Sequence, residues 1–328
     1  LVGFVEADHK TTDGLHTYDQ SSARHKNARS TDGGERWKIE DAFEQGQTAW
    51  GNDHSIPSDM AEEPKPLVTP MPDFTDPGFV ITFVRHNNND GPTHFYYSMN
   101  RGKEWSGPYS FPDLGTPGIA SRTDYIVENE RELSLFLTTA KADKKEGRVA
   151  FARTTDGGLT WELVSWITEE HGGFDIMPSS LRLSETELLT VIRRRMADRQ
   201  DLLIAYRSTD NGKSWRPLKN PVNDTGNGGS PPALVKLDDG RLALGYIYRS
   251  VYGSRVCVRF SSDNGESWSD EIVLRSGDGA NRDAGYPRMV QRPDGKLVLI
   301  YYWNNANDKD ATPYRYIATT IFDPDHWR

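Results

Sequence analysis

Arginines, tyrosines and a few acids and histidines gather at the ends of predicted strands, in types suited to holding an anion. Arg193-Arg-Arg195 and Arg249 close apolar runs, while Arg122 and Arg288 stand where two other runs open. A guanidinium grips a carboxylate or sulfate through two parallel N–H donors, so several at one surface imply an anionic ligand. Alternation along a strand sends Arg193 and Arg195 to one face and Arg194 to the other. The pair is the favoured set, or Arg194 alone in the opposite phase. Tyr286 and Trp303 lie at the same kind of position, where an aromatic ring can stack on a sugar. His9 and His86 each close a run, and Asp175 opens one. The eight histidines show no His-x-x-x-His spacing and Cys257 is the single cysteine. No zinc site and no intrachain disulfide follow, no cofactor is implied, and a structural calcium ion is left open.

The elements that must position these residues are announced by a repeat. Ser30-Thr-Asp-Gly-Gly-Glu-Arg-Trp37, Ser98-Met-Asn-Arg-Gly-Lys-Glu-Trp105, Thr154-Thr-Asp-Gly-Gly-Leu-Thr-Trp161, Ser208-Thr-Asp-Asn-Gly-Lys-Ser-Trp215 and Ser261-Ser-Asp-Asn-Gly-Glu-Ser-Trp268 share one pattern. It is Ser/Thr-x-Asp-x-Gly-x-x-Trp, with Asn100 in place of Asp in the second copy. The tryptophans are 68, 56, 54 and 53 residues apart, a period that marks stacked supersecondary units. The Asp side chain can accept hydrogen bonds from backbone N–H groups downstream, and Gly supplies the positive φ of a tight turn. The Trp re-enters a strand as an apolar anchor.

Aligned on these turns, the chain reads as six units of up to four strands. They cover Leu1–Glu40, Pro66–Pro108, Asp124–Val164, Asp175–Leu218, Ser230–Val273 and Tyr286–Phe322, with the first lacking its opening strand and the last lacking the repeat. Residues 9–28 and 43–65 interrupt the period as long loops, where function tends to sit on a rigid scaffold. The expected arrangement is one all-β domain over residues 1–328.

The five turns resemble the Asp-box (BNR) repeats of the sialidase-like β-propellers, and the likeness spans nearly the whole chain. The resemblance implies a six-bladed β-propeller with Asp-box turns and an incomplete first blade. Starts of first strands and ends of second strands then share one face. Two further segments resemble sialidases in place: Leu188-Leu-Thr-Val-Ile-Arg193, and Gly285-Tyr286-Pro-Arg-Met289 followed by Pro293-Asp-Gly295. Pro287 and Arg288 replace the usual neighbours of the tyrosine. By this resemblance Tyr286 is the nucleophile, Arg193 belongs to a carboxylate clamp with Arg255 or Arg249 as its blade-five member, and Asp13 or Asp19 lies in the loop of the general acid. The glutamate that activates the tyrosine falls near Met177, and Asp175 is the nearest carboxylate.

Net charge of −9 argues against a nucleic-acid backbone as partner, yet a local arginine cluster can still draw an acidic oligosaccharide or polysaccharide. No stretch is long and apolar enough to span a membrane. Three functions are consistent with these features. The leading one is an exo-acting glycoside hydrolase on a sialic or uronic acid terminus, with Tyr286, Asp175 and Asp19 doing the chemistry and Arg193, Arg195, Arg249, Arg288 and Arg122 binding, helped by His9 and Trp303. The second is a polysaccharide lyase in which His86 or His9 removes the proton alpha to a uronate carboxylate and Tyr286 protonates the leaving oxygen. The third is a glycan-binding propeller without catalysis. The resemblance also implies periplasmic or secreted residence.

Overall fold

The computed structural model describes residues 1–6, 8, 24–41, 63–85, 89, 91–120, 123–305 and 314–327. Their regular secondary structure is all β-strand apart from one 3-10 turn at Pro324–Trp327. They form two compact units, one running through Thr168 and one from Glu169 onward. Each contains three sheets, and within every sheet each strand pairs antiparallel with its chain neighbour. This meander is what short turns between consecutive strands produce.

In the first unit the sheets are β1 (Val2–Glu6), β2 (Arg24–Arg29) and β3 (Lys38–Asp41); then β4 (Val80–Arg85), β5 (Thr93–Ser98) and β6 (Ser106–Phe111); then β7 (Asp124–Val127), β8 (Leu133–Ala140), β9 (Glu146–Thr154) and β10 (Glu162–Trp166). Ile81, Phe95, Phe111, Leu133, Leu135, Leu137 and Ala152 form its core. Trp161, which closes the third repeat, packs across onto Phe111 of β6 with ring centres 5.2 Å apart. The repeat's tryptophan thus ties one sheet to the sheet before it. The second unit holds β11 (Phe174–Arg182), β12 (Leu188–Arg195), β13 (Asp201–Ser208) and β14 (Arg216–Pro217); then β15 (Ala233–Lys236), β16 (Leu242–Tyr248), β17 (Arg255–Ser261) and β18 (Ile272–Arg275); then β19 (Gly285–Gln291), β20 (Leu297–Asn304) and β21 (Arg315–Phe322). Leu189, Val191, Leu203, Leu234, Leu244 and Tyr246 fill one of its cores, with Trp268 against it. Val256, Val258, Met289, Leu299, Tyr301 and Trp303 fill the other. Cys257 is fully buried, and burial pushes its thiol up to about 12, out of reach of thiolate chemistry.

All five repeats fold alike. The Ser or Thr hydroxyl accepts the Gly N–H four residues on, at 2.8–2.9 Å. The Asp carboxylate, or the Asn100 amide oxygen, accepts the N–H four residues on, at 2.9–3.0 Å. The two residues directly after the Asp or Asn take positive φ in every copy, as at Asn211 and Gly212. At Asp210 burial pushes the carboxyl up, but bonds from Ser214 and Ser208 outweigh it and hold it low.

Among the described residues, four strands are present only in the third, fourth and fifth sheets. In the second sheet the expected opening strand is replaced by residues 66–79, which carry Pro66, Pro70, Pro72 and Pro77 and so lack the donors a ladder needs. Asp73 and Asp76 shape that segment into turns by accepting Thr75 N–H and Gly78 N–H at 2.7 and 2.6 Å. It is pinned to the third sheet instead, where Met71 N–H donates to the Gly157 carbonyl at 2.9 Å.

Candidate active site

The chemistry-bearing side chains of the second unit converge on the loop joining its first two sheets. Arg193 and Arg195 end β12 on one face, and Arg249 directly follows β16. The loop between them, Gly226–Ser230, is held close because Asn227 N–H donates to the Arg249 carbonyl at 2.8 Å and Arg249 N–H to the Thr225 carbonyl at 3.0 Å. Gly228 and Gly229 have φ of 94° and 64°. A β-carbon at Gly228 would have Arg195 Nη2 and Arg249 Nη1 each at 3.8 Å, so two guanidiniums face each other across one glycine. A β-carbon at Gly229 would stand 2.7 Å from Asp201 Oδ1 and 3.1 Å from Arg193 Nε. Only glycines allow the cluster to close this tightly.

Each arginine is held differently. Arg195 makes a two-pronged bond to Asp201, at 2.8 and 3.0 Å. Arg249 donates Nε to the Ala284 carbonyl at 2.6 Å and Nη2 to the Tyr302 hydroxyl at 3.0 Å. Arg193 is 93% buried: it donates to the Gly228 carbonyl and reaches Met177 Sδ at 3.5 Å, and among the described residues its buried Nε has no hydrogen-bond partner. The guanidiniums of Arg193 and Arg195 stand 5.4 and 5.1 Å from the Phe174 ring centre. Among the described residues, these three cations meet the one carboxylate of Asp201, which leaves two positive charges for a ligand. Burial pulls the Arg193 guanidinium down to about 10, while repulsion from Arg249 and Arg195 is balanced by Tyr286 and Asp201.

Tyr286 borders the same cluster. Its ring lies 5.7 Å from the Arg249 guanidinium and 5.7 Å from the Tyr302 ring, stacked at 30°. It is 40% exposed and has φ of 54°, at a register shift between Gly285 and Arg288. Met177 has φ of 56° at the corresponding shift of β11, between Ile176 and Ser179. Such strain in non-glycine residues concentrates where side chains are aimed for function.

Other residues singled out from the sequence stand elsewhere. Asp175 is fully buried, and both its oxygens accept from Arg194 at 2.6 Å, with His171 Nε2 3.1 Å from one of them. Burial would raise its carboxyl, but Arg194 and His171 hold it below the ordinary range. A carboxylate so engaged is a poor base for Tyr286. Arg194, on the far face of β12, is spent on this pair. Trp303 is a correction: it is fully buried, 5.7 Å from Tyr301 and 4.7 Å from the Arg275 guanidinium, so its ring offers no face to a sugar. The apolar alternation of β20 draws it inward. Arg288 is exposed and donates to the Pro287 carbonyl at 3.2 Å; among the described residues no bond ties it to the cluster. His9, Asp13, Asp19, His86 and Arg122 lie outside the described residues.

Sequence reading missed Asp201, Tyr302, Asp283 and Arg315. The Tyr302 hydroxyl donates to Asp283 Oδ1 at 2.8 Å, and Arg315 Nε donates to Asp283 Oδ2 at 2.6 Å. Tyr302 could have been found: it pairs with Gly285, and alternation puts it on the face opposite Tyr301 and Trp303. Asp201 and Asp283 sit at a strand start and in a loop, with no local signal for their partners. Among the described residues, no group of three or more His, Cys, Asp or Glu could hold a metal ion. No helix there is long and apolar enough to cross a membrane.

Residues 27–299 match the BNR repeat-like domain model, and the chain belongs to that family. No curated protein matches the sequence. Among solved structures, a protein of unknown function from Dyadobacter fermentans is similar at 18% identity, covering 97% of this chain and 89% of its own, with a TM-score of 0.67. An α-L-arabinofuranosidase of Fusarium graminearum, bound to an iminosugar inhibitor, is similar at 14% identity, 92% and 86% coverage and a TM-score of 0.56. A Hadza microbial sialidase is similar at 12% identity, 93% and 60% coverage and a TM-score of 0.55. The fold is the all-β propeller type expected from the repeats, with six sheets among the described residues.

Proposed function

We propose that this protein is a carbohydrate-active enzyme, a glycoside hydrolase acting on the end of a glycan that carries an acidic sugar. The observation behind the reading is the surplus of two guanidinium charges around Gly228, beside the strained and half-exposed Tyr286. Buried cations left without counterions are costly unless a ligand supplies the charge. A sialic or uronic carboxylate does so through paired N–H bonds from Arg249 and Arg195, with Arg193 behind them. The propeller glycosidases of similar fold support hydrolysis, and the charge favours an acidic sugar over a neutral one such as arabinose. In this reading the Tyr286 oxygen attacks the anomeric carbon as the glycosidic C–O bond breaks, a proton passes to the leaving oxygen, and water then releases the sugar. Periplasmic or secreted residence goes with such a substrate.

One observation favours elimination as a second reading. Both oxygens of Asp175 are engaged, and the side chain that reaches Arg193 where a glutamate is expected is the thioether of Met177. Arginines that neutralise a uronate carboxylate make its alpha proton easier to remove. Products formed from sialylated glycans and uronate polysaccharides in heavy-oxygen water decide between the two. Label in the released sugar supports hydrolysis, and Tyr286→Phe should then lower turnover at least about a hundredfold. Unlabelled products with new ultraviolet absorbance would replace hydrolysis by elimination. Wild-type turnover in Tyr286→Phe would remove this site from the chemistry.

A further inference from the structure

We infer that Tyr302 is a positioning residue that sets the Arg249 guanidinium and the Tyr286 ring in place together, and that the buried Asp283, held by Arg315, sets Tyr302. The inference rests on the reading of the cluster as the site of an anionic sugar.

The hydrogen-bond directions carry it. Arg249 Nη2 can only donate, so the Tyr302 oxygen accepts at 3.0 Å. The same oxygen then gives its proton to Asp283 Oδ1 at 2.8 Å. Asp283 is 5% exposed and its second oxygen is taken by Arg315 Nε at 2.6 Å, so it cannot turn away. Burial foremost, with Arg249 opposing it and Asp283 adding to it, pushes the Tyr302 phenol upward, which keeps the proton on the oxygen. With Nε on the Ala284 carbonyl and Nη2 on Tyr302, the Arg249 plane is fixed at two edges. Its Nη1 is the nitrogen left on the Gly228 side, opposite Arg195. The Tyr302 ring meanwhile lies under Tyr286 at 5.7 Å. One side chain therefore orients both the cation that would hold a carboxylate and the phenol that would react beside it.

The hydroxyl and the ring are separable. Tyr302→Phe keeps the stack and removes the acceptor, leaving Arg249 fixed at one edge. The probes are N-acetylneuraminic acid and methyl glucuronide, each against its own methyl ester, titrated calorimetrically into the whole chain. The ester removes the charge and keeps the sugar. Wild type should favour at least one acid over its ester, and Tyr302→Phe should reduce that preference about tenfold while changing ester binding little. A role confined to general stability would weaken acid and ester alike and would overturn the inference, as would an unchanged preference in the variant. Asp283→Asn gives a second route, with a smaller loss of preference, should Tyr302→Phe melt below the assay temperature. If wild type does not prefer either acid, the anionic reading itself falls and the inference goes with it.

Discussion

Replacing Arg193 by methionine should make the protein more stable and remove its hold on anions. The side chain is 93% buried with an Nε that has no partner among the described residues, and burial pulls its guanidinium from the ordinary arginine range down to about 10. At about 1.4 kcal/mol per pH unit, holding it charged in the fold costs roughly 3 kcal/mol. Against that stand its bond to the Gly228 carbonyl and its contact with Met177, together worth about 1–2 kcal/mol. Methionine has similar length, no charge, and a thioether that packs on Met177. The expected gain is about 1–2 kcal/mol, or roughly 3–6 °C in Tm for a unit of this size. Thermal and urea melts measure it, and the acid-over-ester titration measures the accompanying loss of binding. A stabilising substitution that destroys binding is the mark of a site built at the expense of the fold. A fall of several degrees would show that Arg193 is a structural cation with its charge already satisfied, and the charge argument for the whole cluster would fail.

Two other perturbations follow from the fold. Asn100 replaces the repeat's aspartate, and its amide Nδ2 donates to Glu104 Oε2 at 2.9 Å. Restoring the consensus with Asn100→Asp would set two carboxylates there, so the variant should lose roughly 0.5–1 kcal/mol in urea melts at low salt and recover most of it in 1 M salt. Asp175→Asn should cost about 3 kcal/mol, because Arg194 loses its buried counterion. Since the folded Asp175 carboxyl is held below its unfolded value, the wild-type contribution is full above about pH 4 and lost as pH falls through the folded value. Urea midpoints across pH 2–7 should converge for wild type and variant at the acid end. A constant gap would show that the ion pair is not the source.

The repeat is legible because every bond in it is local. Ser208 and Asp210 reach N–H groups within four residues, so the turn forms whatever surrounds it, and strands and tryptophan anchors follow at fixed offsets. Strand alternation likewise separates Arg193 and Arg195 from Arg194 before any partner is known. Which partner each takes is a different matter. Asp175 meets Arg194 because β11 and β12 pair in the register that sets them opposite, while a shift near Met177 lies between them and the rest of the ladder. Trp303 was an attractive sugar platform by type and position, but the apolar face of β20 turned it into the core and left Tyr302 to face Arg249. Asp201, Asp283 and Arg315 were silent in sequence because an acid or a base is ordinary at a strand end or in a loop. The turns, strands and faces were therefore set by contacts a few residues long. The grouping of Arg193, Arg195, Arg249, Tyr286 and Tyr302 was decided only by packing among three sheets, where residues up to 109 positions apart share one buried field.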